Sequence, residues 1–352
     1  MTAALRVDVE AATEAGDAAI TALMELADYV VPFAVRVACD LGLADLLSEA
    51  PCTAADLAEA TGAHPQSLTR LLRALAARGI FTEVAPQTFG LTPLAEPLRS
   101  DHPLSLRAAY PLLPADIRTL GRLTSSIRTG EAAFQALYRQ DYWSYLADHP
   151  RESLAVDGWM ASLNSVHLRT VLPAYDWGSA RTVADLGGGN GAFLAGLLAR
   201  YPGLRGILLD LPHVVAQAGE VLAAAGVAQR CQVVPGSFFD PLPTGADLYV
   251  LKTVLPGWAT EEAVAILRNV RAAMPPDARL VLLEALIPDG NSFDVAKLVD
   301  VHTLALTGGR HRSHTELPAL LGQAGLELLR WVTTPTLTLV EAGPCPADRR
   351  LR

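Results

Sequence analysis

The residues best suited to chemistry lie between Thr182 and Ala192, where the sequence reads Thr-Val-Ala-Asp-Leu-Gly-Gly-Gly-Asn-Gly-Ala. A short apolar run ends at the carboxylate of Asp185, and glycines follow it. Beyond Ala192, apolar residues recur at helical spacing. A strand, a glycine turn and a helix in this order bring backbone N–H groups close to a ligand. Because Gly187-x-Gly189-x-x-Ala192 also fits a dinucleotide fingerprint, the turn alone leaves the ligand open.

Three further strand ends carry residues that suit an adenosine. Asp210, followed by Leu211, ends the second strand, where a carboxylate can accept hydrogen bonds from both ribose hydroxyls. Ser237 and Phe238 follow the third strand, and a phenylalanine ring can pack on an adenine. Lys252 follows the fourth strand. We therefore expect four consecutive strand ends to meet at one adenosine-sized ligand.

A parallel sheet is needed to position these residues, and strand-like and helix-like segments alternate after Arg181 as such a sheet requires. The strand candidates are Thr182–Leu186, Gly206–Asp210, Cys231–Val234, Asp247–Leu251, Arg279–Ala285, Leu326–Thr333 and Thr336–Glu341. Only Thr334 and Pro335 join the last two, so the final strand must run antiparallel. The prediction is an α/β, Rossmann-like domain with a mostly parallel sheet. A dinucleotide-binding domain does not normally end in this way.

The N-terminal part of the chain is predicted to be helical. From Ala19 to Leu47 the apolar stripes are too broad for one face of a lone surface helix. These helices are either buried in their own domain or packed against a second subunit, and we predict a homodimer. Thr53 to Leu98 is typical of a winged helix-turn-helix. Its candidate recognition helix, Ser67 to Arg78, has few basic residues, so scaffolding and dimerisation are favoured over DNA binding.

A mainly helical region from Leu104 to His167 contains an aromatic and thioether cluster. Tyr138 to Trp143, Trp159 and Met160 form it. Such a cluster is usually core, but its place just before the glycine turn equally suits the wall of a pocket. We divide the chain into dimerisation helices with a winged-helix-like module at 1–105, a helical pocket-wall region at 106–170, and the Rossmann-like domain at 171–352.

Composition narrows the class of protein. Hydrophobic residues make up 51% and charged residues 18% of the 352 residues, as in a globular chain. The net charge of −9 argues against a nucleic-acid partner. Four scattered cysteines without a C-x-x-C pair predict neither a metal site nor a disulfide framework. We see no secretory signal and no apolar run of the roughly 20 residues that span a bilayer, so a cytoplasmic protein without membrane contact is expected.

Four segments together resemble the class I S-adenosylmethionine (SAM) methyltransferases: Asp185–Gly191, Asp210–Pro212, Gly236–Phe239 and Leu251–Trp258. More narrowly, the chain is similar over nearly its whole length to the caffeate-type O-methyltransferases and their bacterial relatives that act on polyketide and anthracycline natural products. The resemblance implies SAM as the cofactor and an acceptor pocket between the two domains. The cofactor residues it implies are Asp185, Gly187, Gly189, Asp210, Leu211, Ser237, Phe238 and Lys252.

The loop after the fourth strand departs from this family. Family members usually carry His-Asp-Trp there, and that histidine deprotonates the acceptor, whereas this chain reads Pro256-Gly257-Trp258. Of two acidic residues that flank the base in plant members, Glu284 matches one and His311 occupies the other position. The catalytic candidates are therefore His311, His302 and Glu284. The acceptor-binding candidates are Tyr142, Trp143, Met160, Asn164, Trp258, His302 and Leu306.

Three hypotheses follow from the missing base. Methyl transfer can run mainly on proximity, because SAM is an activated sulfonium and an acidic phenol is partly ionised. Orientation can supply several of the ~7–11 kcal/mol available to intramolecular reactions. Alternatively, His302 or His311 is a relocated base, since a histidine with a pKa of ~6.5 can accept a proton near neutrality. A lone histidine on an apolar helix face, such as His302, is more often a core residue than a functional one.

The third hypothesis is a redirected fold, because relatives include a SAM-binding anthracycline hydroxylase and pericyclases that keep the methyl group. A transcription regulator that retains a ligand pocket is a more distant alternative. We favour O-methylation of an aromatic or polyketide-like hydroxyl compound by proximity.

Overall fold

A computed structural model describes residues 16–346, which form two compact units divided between Leu112 and Leu113. The first unit begins with helix α1 over residues 16–26. Its other elements are α2 (Val30–Asp40), α3 (Leu43–Leu46), β1 (Cys52–Thr53), α4 (Ala54–Thr61), α5 (Pro65–Ala76), β2 (Phe81–Ala85) and β3 (Thr88–Leu91).

Capping and turn residues explain the helix-turn-helix of the first unit. The side chain of Thr53 accepts the backbone N–H of Asp56, so α4 begins with a capped turn. Pro65 stands in the first turn of α5, where its missing N–H has no helical partner to lose. Strand β3 pairs antiparallel with both β1 and β2. The predicted winged-helix arrangement is confirmed.

The second unit contains the remaining helices and strands. Its helices are α6 (Pro114–Leu120), α7 (Leu123–Thr129), α8 (Ala133–Tyr138), α9 (Tyr142–Asp148), α10 (Pro150–Val171), α11 (Ala192–Arg200), α12 (Pro212–Val215), α13 (Ala218–Ala224), α14 (Thr260–Ala273), α15 (Val295–Thr307) and α16 (Leu317–Gln323). Its strands are β4 (Thr182–Leu186), β5 (Arg205–Asp210), β6 (Cys231–Pro235), β7 (Leu248–Lys252), β8 (Arg279–Glu284), β9 (Leu326–Thr333) and β10 (Thr338–Pro344).

Seven strands form one sheet in the order β6-β5-β4-β7-β8-β10-β9. Strands β4 to β8 are parallel, so their carboxyl ends share one edge. Val183, Ala184 and Leu186 are all buried, because helices cover both faces of the sheet. The strand order reverses between β4 and β7, and a ligand crevice is expected outside the carboxyl ends at such a switch point. The predicted mostly parallel α/β fold is confirmed.

The last strand runs antiparallel to both β8 and β9, as predicted. It begins at Thr338, two residues later than expected. The reason is a turn closed by Thr334, whose hydroxyl accepts the N–H groups of Thr336 and Leu337 while its own N–H donates to the carbonyl of Leu337. The connection between the last strands is therefore longer than the Thr334-Pro335 pair.

The N-terminal helices leave apolar surface uncovered. Leu23, Met24, Leu26 and Tyr29 are exposed, Leu26 to 84%. The expectation that no apolar stretch reaches bilayer length needs correction, because Gly16–Asp40 reaches it by length and composition, with a mean hydropathy of 1.5. Charged residues interrupt this stretch, but its mean hydropathy stays apolar. The chain leaves the helix at residues 27–29, within this stretch.

Exposed apolar side chains on α1 and α2 predict a subunit interface, because large uncovered apolar patches mark partner surfaces. We expect light scattering at micromolar concentration to give twice the chain mass of 37.3 kDa. Leu26→Glu should shift the protein towards monomer. Ala60→Glu, on the exposed side of α4, is the matched control and should leave the mass unchanged. A monomer mass for the wild type would contradict the interface.

Candidate active site

A cavity of about 450 Å³ in the second unit joins the carboxyl ends of β4, β5, β6 and β7 to faces of α9, α10 and α15. This is the size of a small-molecule site. The predicted site residues that line it are Tyr142, Trp143, Met160, Asn164, Asp185, Gly187, Gly189, Asp210, Leu211, Ser237, Phe238, Lys252, Trp258, His302, Leu306 and His311. Glu284 is the predicted site residue that does not line it. The structure thus brings together residues from seven separate segments of the sequence.

The glycine turn between β4 and α11 forms one wall of the cavity. Gly187 and Gly189 have φ values of 72° and 63°, a left-handed conformation that favours glycine. A Cβ on Gly187 would also lie 2.8 Å from Cγ2 of Val254. The N–H of Gly187 donates to the carbonyl of Leu209. A side chain is thus excluded at Gly187, and the backbone of the turn is held against β5.

Asp210 ties the glycine turn to the end of β5. Its carboxylate accepts the N–H of Gly189 at 2.8 Å and that of Leu211 at 2.7 Å. Burial raises the pKa of Asp210, while these two hydrogen bonds and nearby His213 oppose that shift. A carboxylate offers about four acceptor positions. Acceptor capacity therefore remains for the two ribose hydroxyls predicted to bind here.

Three ionisable side chains are buried behind the turn. Burial raises the pKa of Asp185 to about 7 and lowers the pKa of Lys252 to about 8. Burial also raises the pKa of Glu284 to about 8, opposed by the backbone N–H groups of Leu255 and Val254. Asp185 and Lys252 face the cavity, whereas the carboxylate of Glu284 faces the loop after β7. The structure therefore separates Glu284 from the ligand space.

That loop, Leu255–Gly257, is clamped by the segment of residues 308–313. The guanidinium of Arg312 donates to the carbonyl of Leu255 at 2.5 Å and to that of Trp258 at 3.0 Å. A Cβ on Gly309 would lie 2.1 Å from the carbonyl oxygen of Pro256, so only glycine permits this approach. Pro256 lines the cavity at the position where the family resemblance places the base.

His311 lies in the clamping segment and also lines the cavity. Its Nδ1 is 2.9 Å from the carbonyl oxygen of Ala285, and its backbone N–H donates to Asp300. With the proton on Nδ1, Nε2 is the acceptor. Burial lowers the pKa of His311, a shift that the Ala285 hydrogen bond opposes. The lowered pKa favours the neutral form of this side chain.

His302 faces the cavity from α15 and has a carboxylate beside it. Its Nε2 lies 3.9 Å from Oδ2 of Asp116, which also accepts a 3.5 Å hydrogen bond from the hydroxyl of Tyr142. Its ring meets that of Trp159 edge to face, with centroids 6.4 Å apart. Of the two positions considered from the sequence, core or functional site, the structure places His302 at the cavity wall.

Aromatic rings form the wall of the cavity away from the charged strand ends. Trp143 and Trp258 are near parallel, with an interplanar angle of 26° and centroids 6.5 Å apart. Trp258 also meets Phe238 edge to face. The aromatic cluster seen in the sequence is divided, because Tyr138 packs against a hydrophobic core whereas Trp143, Trp159 and Met160 line the cavity. Both interpretations of that cluster are therefore partly correct.

Helix α10 contributes cavity residues that sequence reasoning missed. Ser153, Asp157, His167 and the predicted Met160 and Asn164 all line the cavity. Burial, reinforced by the charge of Lys252, lowers the pKa of His167 to about 3. The signal was a spacing of three, four or seven residues, which places these side chains on one face of a helix. Without knowing which face meets the strand ends, that spacing alone could not identify them.

The fold and the cavity define a class of protein. An open parallel sheet with an antiparallel strand inserted beside its edge, a glycine turn and an acidic second-strand end are the features of the class I methyltransferase fold to which the sequence is similar. Comparisons with known proteins agree. The O-methyltransferase domain family matches residues 120–327, and the O-methyltransferase dimerisation domain matches residues 24–101. The chain belongs to the O-methyltransferase family.

Three similar proteins illustrate the range of the family. The mitomycin biosynthesis 6-O-methyltransferase of Streptomyces lavendulae is 40% identical over 84% of this chain and 86% of its own length. The aclacinomycin 10-hydroxylase RdmB of Streptomyces purpurascens is 36% identical over 90% of this chain and 87% of its own length. The third is the O-methyltransferase NcsB1 from neocarzinostatin biosynthesis, whose crystal structure contains SAM and 2-hydroxy-5-methyl naphthoic acid. It matches this chain with a TM-score of 0.79 and 36% sequence identity, over 91% of this chain and 98% of NcsB1.

The position of Asp210 predicts a loss of cofactor affinity on substitution. Asp210→Ala removes charge-assisted hydrogen bonds worth ~1.5–3 kcal/mol, so SAM affinity should fall by about one to two decades. Calorimetry measures the dissociation constant directly. Asp240→Ala, a change at the exposed aspartate after β6, is the control and should bind SAM normally. If Asp210→Ala binds SAM with unchanged affinity, Asp210 does not bind the cofactor. If the wild type binds NADH as tightly as SAM, a dinucleotide is favoured as the cofactor instead.

Proposed function

We propose that this chain transfers the methyl group of SAM to a hydroxyl of an aromatic or polyketide-like small molecule. The observation that carries the proposal is the division of one cavity into a charged end at the strand ends and an aromatic end at Trp143, Trp159 and Trp258. NcsB1, solved with SAM and a naphthoic acid, supports the same pairing of ligands.

The residues at the charged end fit SAM. Both carboxylate oxygens of Asp185 are buried and have no hydrogen-bond partner among the described residues, so an ammonium group of the cofactor would satisfy them. Asp210 would hold the ribose and the backbone of the glycine turn the methionine portion. Phe238 would pack on the adenine. When bound there, SAM supplies a methyl group already activated by its sulfonium.

Catalysis is proposed to rest on positioning. Pro256 has no group that accepts a proton, and Arg312 and Gly309 hold the loop in place without it. An acidic phenolic hydroxyl that is already ionised needs no base. Near-parallel Trp143 and Trp258 and the face of α15 would orient the acceptor. Orientation of this kind can supply a large part of the ~7–11 kcal/mol gained in intramolecular reactions.

A relocated base is the competing mechanism, and each of the two candidate histidines has an observation in its favour. His302 has Asp116 at 3.9 Å, and that carboxylate would stabilise an imidazolium after proton transfer. His311 has its Nδ1 hydrogen-bonded to Ala285, which leaves Nε2 as the basic atom. His311 also belongs to the segment that clamps the loop where the usual base stands. The carboxylate of Glu284 faces the loop after β7 and does not line the cavity.

A second function shares this cavity: use of SAM without transfer of its methyl group. It is favoured by the lost loop base together with the 36% identical aclacinomycin 10-hydroxylase. Mass spectrometry of the products separates the two functions. Methyl transfer predicts a methylated acceptor and one S-adenosylhomocysteine (SAH) per turnover. An acceptor that is consumed without gaining a methyl group, while SAM stays intact, would establish the second function.

The proposed enzyme is a cytoplasmic homodimer without a nucleic-acid partner. The matched dimerisation domain and the exposed apolar surface of α1 and α2 support the homodimer. The cysteines Cys39, Cys52, Cys231 and Cys345 are free, as expected in a reducing compartment.

Positioning predicts that no single histidine controls the rate. His302→Ala and His311→Ala should each lower turnover less than about tenfold, through lost contacts with the acceptor, because general acid–base catalysis contributes about 10²–10⁴. The measurement is a pH–rate profile of the wild type and both variants on one acceptor. His149→Ala, a change outside the cavity, is the control for loss of a ring alone.

A relocated base would give a different profile. The acid limb of the wild type would follow the pKa of the active histidine and vanish in that variant, together with a rate loss of about 10²–10⁴. For His311 this limb would lie below the ordinary ~6.5, because burial lowers its pKa. Such a profile for His302 or for His311 would overturn the positioning mechanism.

A further inference from the structure

Asp157 places a carboxylate in the cavity that the proposed mechanism does not use. It belongs to the face of α10 that lines the cavity, one turn before Met160 and two turns before Asn164. Among the described residues, its carboxylate forms no ion pair and no side-chain hydrogen bond. Burial and the neighbouring carboxylate of Asp210 raise the pKa of Asp157 to about 6. A positive ligand would stabilise the charged form of a half-buried carboxylate that lies next to a second one.

The charges around the cavity do not supply that partner. Its carboxylates are Asp157, Asp185 and Asp210, and Lys252 is the one lysine or arginine among its lining residues. Lys252 interacts with Asp185 and with Glu284, and neither of these is Asp157. His213 is close to Asp210. The end formed by Asp157 and Asp210 is therefore negative, and it suits a cationic ligand.

The cavity face of α10 has neighbours at two strand ends. Asp157 is close to Asp210, which would hold the ribose, and His167 is close to Lys252, beside the glycine turn. In SAM the sulfonium lies between the ribose and the methionine portion. A carboxylate at the ribose end of this face would therefore lie near the sulfonium of bound SAM, in surroundings where water does not screen the charge fully.

We propose that Asp157 recognises the positive charge of the sulfonium and makes the site bind SAM in preference to the neutral thioether SAH. This inference rests on the proposed function, because it takes SAM as the cofactor. Loss of the methyl group removes the sulfonium charge, so the attraction by Asp157 ends with the reaction. The product would then leave more easily than the substrate, and inhibition by SAH would be weak.

Calorimetry with SAM, SAH and sinefungin tests the proposal without turnover. Sinefungin carries an amine, protonated at neutral pH, in place of the sulfonium and has no methyl group to transfer. Asp157→Asn should weaken binding of SAM and of sinefungin about tenfold or more, and leave SAH within about twofold of the wild type. The unchanged SAH affinity also shows that the variant is folded. Asp157→Glu should retain most of the preference for SAM.

Asp148→Asn is the matched control, because Asp148 is exposed at the end of α9 and does not line the cavity. It should bind all three ligands as the wild type does. Equal losses of SAM and SAH in Asp157→Asn would overturn the proposal, because Asp157 would then hold a part that both ligands share. Unchanged affinity for all three would overturn it as well. A wild type that binds neither SAM nor SAH would instead refute the proposed function.

Discussion

The close packing of residues 308–313 on the loop after β7 is the contact on which the active site depends. There is no room for a side chain at Gly309 against Pro256. The guanidinium of Arg312 donates hydrogen bonds to carbonyls at both ends of the loop. The carboxylate of buried Glu284 faces the same loop from the sheet side. The loop therefore keeps its place although its usual proton-accepting residue is absent. What the chain has lost is a functional group, while the shape of the cavity is retained.

The cavity separates two kinds of physical interaction. At the strand ends, buried charges and fixed backbone N–H groups meet a polar ligand, and their low-dielectric surroundings strengthen each contact. At the other end, rings such as Trp143 and Trp159 offer apolar area and flat faces, which suit a planar molecule. His302, with Asp116 beside it, adds a polar group there. A positively charged methyl donor and an aromatic acceptor would thus contact different walls of the same cavity, and these walls would set their relative orientation.

Sequence reasoning was most successful where chemistry is local. The glycine turn, Asp210 and the bounds of β4 and β9 follow from residue types over a few positions. It was less successful where partners come from distant segments. Nothing near His302 in the sequence indicates Asp116, which is contributed by α6. Glu284 was expected at the site because of its motif, yet the direction of a strand-end side chain depends on the sheet twist and the packed loop. Asp157 was missed because only the docked helix shows which face meets the ligand.

The most direct test of positioning is the pH dependence of the wild-type rate with two acceptors of similar shape but different hydroxyl pKa. If the acceptor provides its own ionisation, the acid limb of the profile should move with the acceptor's pKa. The rates should coincide once both acceptors are fully ionised, apart from their difference in nucleophilicity. An acid limb that stays at the same pH for both acceptors would contradict the account, because a group of the protein would then control the proton.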